Sequence, residues 1–240
     1  MGHQCVDCVG RGVRRGRRAT TVAGAEPGGR PLVVPALIGI NTVIFIWTVV
    51  QAGSVNGNSA ASLFREWALV PVLVQYGEWW RVLTSGFLHI GPIHLLFNMI
   101  ALWVLGRDLE IVLGRGRFLA VYLISLLGGS AAVMLFSVPN QAVAGASGAV
   151  FGLMGGLAVV LRRLRVPAGQ VVGLIVVNLV ISVLIPGISL LGHLGGLVVG
   201  AVATAALVYS PARNRTAVQV AALGGLTIVL LLLIAVTSLV

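Results

Sequence analysis

The stretch that decides the reading is Gly145-Ala146-Ser147-Gly148-Ala149-Val150-Phe151-Gly152-Leu153-Met154-Gly155-Gly156. It places one hydroxyl, Ser147, at the start of an apolar helix predicted over residues 147–161. Gly148, Gly152 and Gly156 recur every fourth residue, so they share one helical face. Small residues on one face let two membrane helices approach backbone to backbone. A second segment carries the matching pattern at Gly192, Gly196 and Gly200, with His193 beside the first. If the two faces pack, Ser147 and His193 meet near the helix tops. A serine within hydrogen-bond reach of a histidine is an activated nucleophile.

Composition sets the environment. The chain has 240 residues, 58% of them hydrophobic and only 9% charged, with a mean hydropathy of +1.04. Soluble domains carry about 25% charged residues, so this sequence predicts an all-α integral membrane protein. Its 32 glycines are about twice the usual share, which suits closely packed membrane helices.

A net charge of +10 raises the possibility of nucleic acid as a partner, and the placement of the charge excludes it. All sixteen basic residues are Arg. If the chain changes sides at each apolar run, fourteen of them fall on one side, and only Arg65 and Arg81 on the other. Cationic loops mark the cytoplasmic side. The expectation is a multi-pass protein of the cell membrane with the N-terminus cytoplasmic and, after seven spans, the C-terminus outside.

In order, residues 1–30 form an Arg- and Gly-rich tail. No cleavable signal peptide is expected, because thirty residues precede the first apolar run. Cys5 and Cys8, with His3 nearby, supply at most half of a zinc site. On the cytoplasmic side they are not expected to form a structural disulfide. Spans are expected at 32–52, 93–106, 118–138, 147–161, 168–185, 190–209 and 217–240. The outer loop at 53–92 is rich in interfacial aromatics, with Trp67, Tyr76, Trp79 and Trp80.

Helix rise gives depth. Thirteen residues separate Arg107 from His94, and fifteen separate Arg162 from Ser147. These are rises of roughly 20 and 22 Å. With a hydrocarbon core ~30 Å thick, both groups fall on the order of 10 Å below the outer surface. His193 lies at a similar level. His94 and Asn98 share a helix face, and spans two, four and six run in the same direction, so their outer ends can converge on a pocket opening outward.

In that pocket Ser147 would attack a carbonyl, and His193 would take its proton and pass it to the leaving amine. Asn98, His94 and the Ser147 backbone N–H would serve the oxyanion, and Phe151 would stack on the His193 ring. None of the six acidic residues falls among these groups, so the expected machinery is a Ser–His dyad with the histidine oriented by packing.

These residues resemble the rhomboid intramembrane serine proteases. Gly145-Ala146-Ser147-Gly148 is similar to their nucleophile motif, and His193 through Gly196 to Gly200 to their histidine helix. His94-Leu95-Leu96-Phe97-Asn98, with His89 five residues upstream, resembles their oxyanion segment. Trp80-Arg81 is similar to the Trp-Arg signature of their first loop, and Gly106 to Glu110 to the end of their second span.

The resemblance implies a six-helix bundle over residues 31–210, with residues 211–240 as an added seventh helix. It also implies cleavage of transmembrane protein substrates that arrive laterally past span five and the 186–191 loop, without metal or cofactor. The tail at 1–30 looks like the end of a small zinc-binding module found ahead of the membrane domain in some bacterial relatives. Position 151 departs from the family, being Phe where many relatives have Tyr. Two other readings compete: a rhomboid-like protein that binds membrane segments without cutting them, and a transporter. The second would want mid-depth charge pairs or broken helices.

Overall fold

The computed structural model describes residues 20–237. Cys5, Cys8 and most of the Arg-rich tail lie outside them. Seven long helices dominate: α1 (Val33–Ala52), α2 (Gly91–Leu113), α3 (Arg115–Phe136), α4 (Ser147–Leu164), α5 (Gly169–Leu184), α6 (Leu190–Val208) and α7 (Arg215–Thr237). Among the described residues there is no strand, only an isolated antiparallel bridge between Leu69 and Val143. The protein is an all-α, multi-pass membrane protein.

Among the described residues, five helices are long and apolar enough to cross a bilayer unaided: α1, α3, α4, α6 and the segment Ala212–Thr237 containing α7. Two of the seven expected spans are less simple. The second helix qualifies only together with the short helical stretch Arg81–Phe87, from which it is bent by 93°. It does not end at Gly106, as expected, but continues past Arg107 and Glu110 to Leu113. Arg107 and Asp108 are both exposed and pair at 3.4 Å. A long cationic side chain that reaches outward does not have to stop a helix. Similarly, α4 runs past Arg162 to Leu164. The fifth helix has 16 residues, ~24 Å of rise against a ~30 Å hydrocarbon core.

The centre of the molecule is the packing of α3, α4 and α6. Of its apolar window, α3 buries 67% and α4 56%, whereas the window containing α7 buries 11%. Glycine makes this packing possible. A Cβ on Gly196 would overlap the Gly148 carbonyl oxygen, and one on Gly200 would overlap the Gly152 backbone. One turn further along, a Cβ on Gly156 would lie 2.5 Å from Thr204 Oγ1. Where Gly148 meets Gly196 and Gly152 meets Gly200, the faces of α4 and α6 therefore touch backbone to backbone, and beside Gly156 the space is taken by the Thr204 side chain. The third helix joins at Gly129, where a Cβ would lie 2.7 Å from the Gly192 carbonyl oxygen.

Buried polar side chains fix the outer elements. The Glu110 carboxylate accepts from the backbone N–H groups of Leu32, Val33 and Val34 at 2.7, 3.0 and 2.9 Å. These donors open α1 and have no partner within it. Arg81, 4% exposed, binds Glu78 and the carbonyls of Arg65 and Ala68, folding the loop between α1 and α2 around one cation. Asn58 links Thr48 at the end of α1, the His89 carbonyl and the Gly91 N–H that opens α2. Gln219 docks α7 by accepting from Arg117 and donating to the carbonyls of Ala23 and Leu207.

Candidate functional site

Ser147 is the first residue of α4, and the loop ahead of it is held on three sides. Leu69 and Val143 exchange two backbone hydrogen bonds, the Val72 N–H donates to Pro139, and the Gly145 N–H donates to Ser85. Gly145 has φ +136°, a conformation that glycine alone adopts readily. It also lies against a ring: a Cβ there would be 2.8 Å from His94 Cε1 and 2.9 Å from its Nε2.

His193 enters from α6, whose first turn is capped by Ser189 Oγ accepting from the Gly192 N–H. Its Nε2 lies 2.8 Å from Ser147 Oγ. The Phe151 ring stacks on the imidazole with centroids 4.1 Å apart and planes 15° from parallel. His193 is 6% exposed, while Ser147 is partly exposed. The helix contact that glycine permits thus delivers a hydroxyl and an imidazole to one point.

The second helix brings His94 and Asn98 to the same end of the bundle. The Ile90 N–H donates to His94 Nδ1 at 3.3 Å. A neutral ring then carries its hydrogen on Nε2, the atom beside Gly145. Asn98 donates one amide hydrogen to the His94 carbonyl at 2.9 Å, which leaves the second for another acceptor. His89 is buried with its ring edge-on to His94, centroids 5.1 Å apart.

Trp80 and Arg81 belong to the scaffold of the loop between α1 and α2. The Trp80 indole donates to the Glu66 carbonyl, and Arg81 organises the loop as described above. Among the described residues, no group of three His, Cys, Asp or Glu side chains is placed to hold a metal.

One contact had no counterpart in the sequence reading. His193 Nδ1 lies 2.7 Å from Ser182 Oγ on α5, so packing alone does not orient the ring. Nothing in the spacing of residues 182 and 193 points to this. A single serine in an apolar span carries no periodic signal.

A polytopic helical membrane protein with a serine and a histidine paired at one end of glycine-packed helices narrows the class considerably. Residues 76–210 match the Rhomboid domain family. The chain belongs to the rhomboid family. It is 37% identical over 192 residues to "Rhomboid protease GluP" of Bacillus subtilis, covering 78% of this chain and 37% of that protein. It is 37% identical to "Putative rhomboid protease YdcA" of the same organism over 52% of this chain and 65% of YdcA. It is 27% identical to "Rhomboid protease AarA" of Providencia stuartii over 75% of this chain and 74% of AarA. The aligned region spans little more than a third of GluP.

Proposed function

We propose that this chain is an intramembrane serine endopeptidase that hydrolyses peptide bonds in or beside transmembrane segments of other membrane proteins. The observation that carries the reading is the 2.8 Å approach of His193 Nε2 to Ser147 Oγ under the stacked Phe151 ring.

His193 accepts the Ser147 proton as the oxygen attacks the carbonyl carbon. The oxyanion is met by His94 Nε2–H, the free amide hydrogen of Asn98 and the Ser147 backbone N–H. This last donor has no acceptor within its own helix, and the helix N-terminus favours negative charge. His193 then protonates the leaving amine. Water, activated by the same imidazole, releases the acyl group and restores Ser147.

The protease domain is residues 31–210, preceded by the tail at 1–30 and followed by the seventh helix at 211–240. Substrates enter from the lipid past α5 and the 186–191 loop. On this reading the N-terminus is cytoplasmic, the C-terminus is outside and the site opens outward, with the arginine distribution in support.

The test is co-reconstitution in liposomes with single-pass membrane proteins carrying small residues near one end of the span. Cleavage that yields a defined new N-terminus and is lost in Ser147→Ala supports the reading. Intact substrates that co-purify equally with wild type and Ser147→Ala would favour a binding protein. An ion or proton flux lost in Ser147→Ala, without cleavage, would favour a transporter.

A further inference from the structure

Ser182 is the one residue of α5 that is buried. The rest of the helix is partly or fully exposed, and its main neighbours are α4 and α6. The Ser182 hydroxyl has a single hydrogen, which it donates to the Asn178 carbonyl 2.6 Å away, one turn earlier. Its lone pairs are left for His193 Nδ1 at 2.7 Å. With an acceptor at that distance, Nδ1 must carry the hydrogen. A neutral imidazole has only one, so Nε2 is bare, and Nε2 is the atom beside Ser147 Oγ.

We propose that Ser182 is a positioning residue that fixes the tautomer of His193. This rests on the hydrolase reading above. With its hydrogen committed to Asn178, Ser182 selects the Nδ1–H form, the one that can take the Ser147 proton at Nε2. Without it, a population protonated on Nε2 would present Ser147 with a donor and no base. When Nε2 gains the proton, Nδ1–H still has its acceptor, so the ring keeps its orientation through the transfer. The acceptor comes from the least buried neighbour of the site, so His193 is poised only while α5 is seated.

The experiment compares Ser182→Ala, Ser182→Thr and Ser182→Val in proteoliposomes. Thr and Val have nearly the same shape and differ in the hydroxyl. Two readouts are needed: the rate of fluorophosphonate labelling, and the ring-nitrogen NMR spectrum of histidine-labelled protein, with His193 assigned by His193→Ala. The proposal expects Ser182→Thr to label within about threefold of wild type. Ser182→Val and Ser182→Ala should label about tenfold more slowly, the loss of one hydrogen bond. The wild-type spectrum should show His193 protonated on Nδ1, with a shift toward Nε2–H in the Val and Ala variants.

Equal labelling of the Thr and Val variants, or a wild-type ring protonated on Nε2, would overturn the proposal. If Ser182→Ala does not fold, the Thr and Val pair decides. If folded wild type takes no label, the hydrolase reading falls, and the nitrogen spectrum still decides the tautomer.

Discussion

Gly196→Ala adds one methyl group to a residue that touches neither Ser147 nor His193 through a side chain, yet it should remove most of the activity. The new Cβ would overlap the Gly148 carbonyl oxygen and lie 2.7 Å from the carbonyl carbon and 3.0 Å from the Cα of that residue. Carbon atoms in good contact sit about 3.5–4.0 Å apart, so α4 and α6 must separate by about 1 Å. The obstacle is backbone one residue from Ser147, with no flexible side chain to turn aside. A displacement of ~1 Å in a reacting pair can cost about 100-fold, and overpacking costs about 1–3 kcal/mol of stability. The assay is the rate of fluorophosphonate labelling in liposomes, with thermal unfolding alongside. Gly173→Ala is the control, since nothing lies within 4 Å of its added Cβ, and it should label as wild type does. If Gly196→Ala labels at the wild-type rate with an unchanged melting midpoint, the backbone contact does not set the Ser147–His193 distance.

Glu110→Ala leaves three N–H donors at the start of α1 without their carboxylate. It should cost about 3 kcal/mol of stability, read as a lower melting midpoint in detergent. Phe151→Leu keeps an apolar side chain but removes the ring stacked on His193. A lost stacking contact of ~0.5–1.5 kcal/mol predicts labelling slower by about threefold to tenfold, with Phe151→Tyr close to wild type. Asn58→Ala strands the His89 carbonyl and the Gly91 N–H. It should destabilise by about 2 kcal/mol and speed amide exchange at residues 88–92, seen by mass spectrometry.

The sequence showed the glycine faces because a four-residue period on a helix is a direct statement of which atoms share a side. The positions of Ser147 and His193 followed, since each sits at the end of such a face. His94 and Asn98 were visible by the same period, and Phe151 by lying one turn from Ser147. Helix ends were less legible. Arg107 looked like a terminus, but its side chain reaches outward while α2 continues for six more residues.

The contacts that pin the scaffold were not legible. Asn58, Gln219 and Ser182 each act on residues distant in the chain or on another helix. Most of their partners are backbone groups, which have no residue-type signature. Ser182 shows why: its importance comes from which neighbour takes its single hydrogen, and that is fixed only once α5 and α6 are side by side.

The proposed chemistry depends on Ser147 being a nucleophile activated by His193. The most direct measurement is fluorophosphonate labelling of purified protein in lipid, with the modified residue located by mass spectrometry in wild type, Ser147→Ala and His193→Ala. Wild type should carry one adduct, on Ser147, and neither variant should carry any. An adduct that persists in Ser147→Ala, or a folded wild type that never reacts, would contradict it.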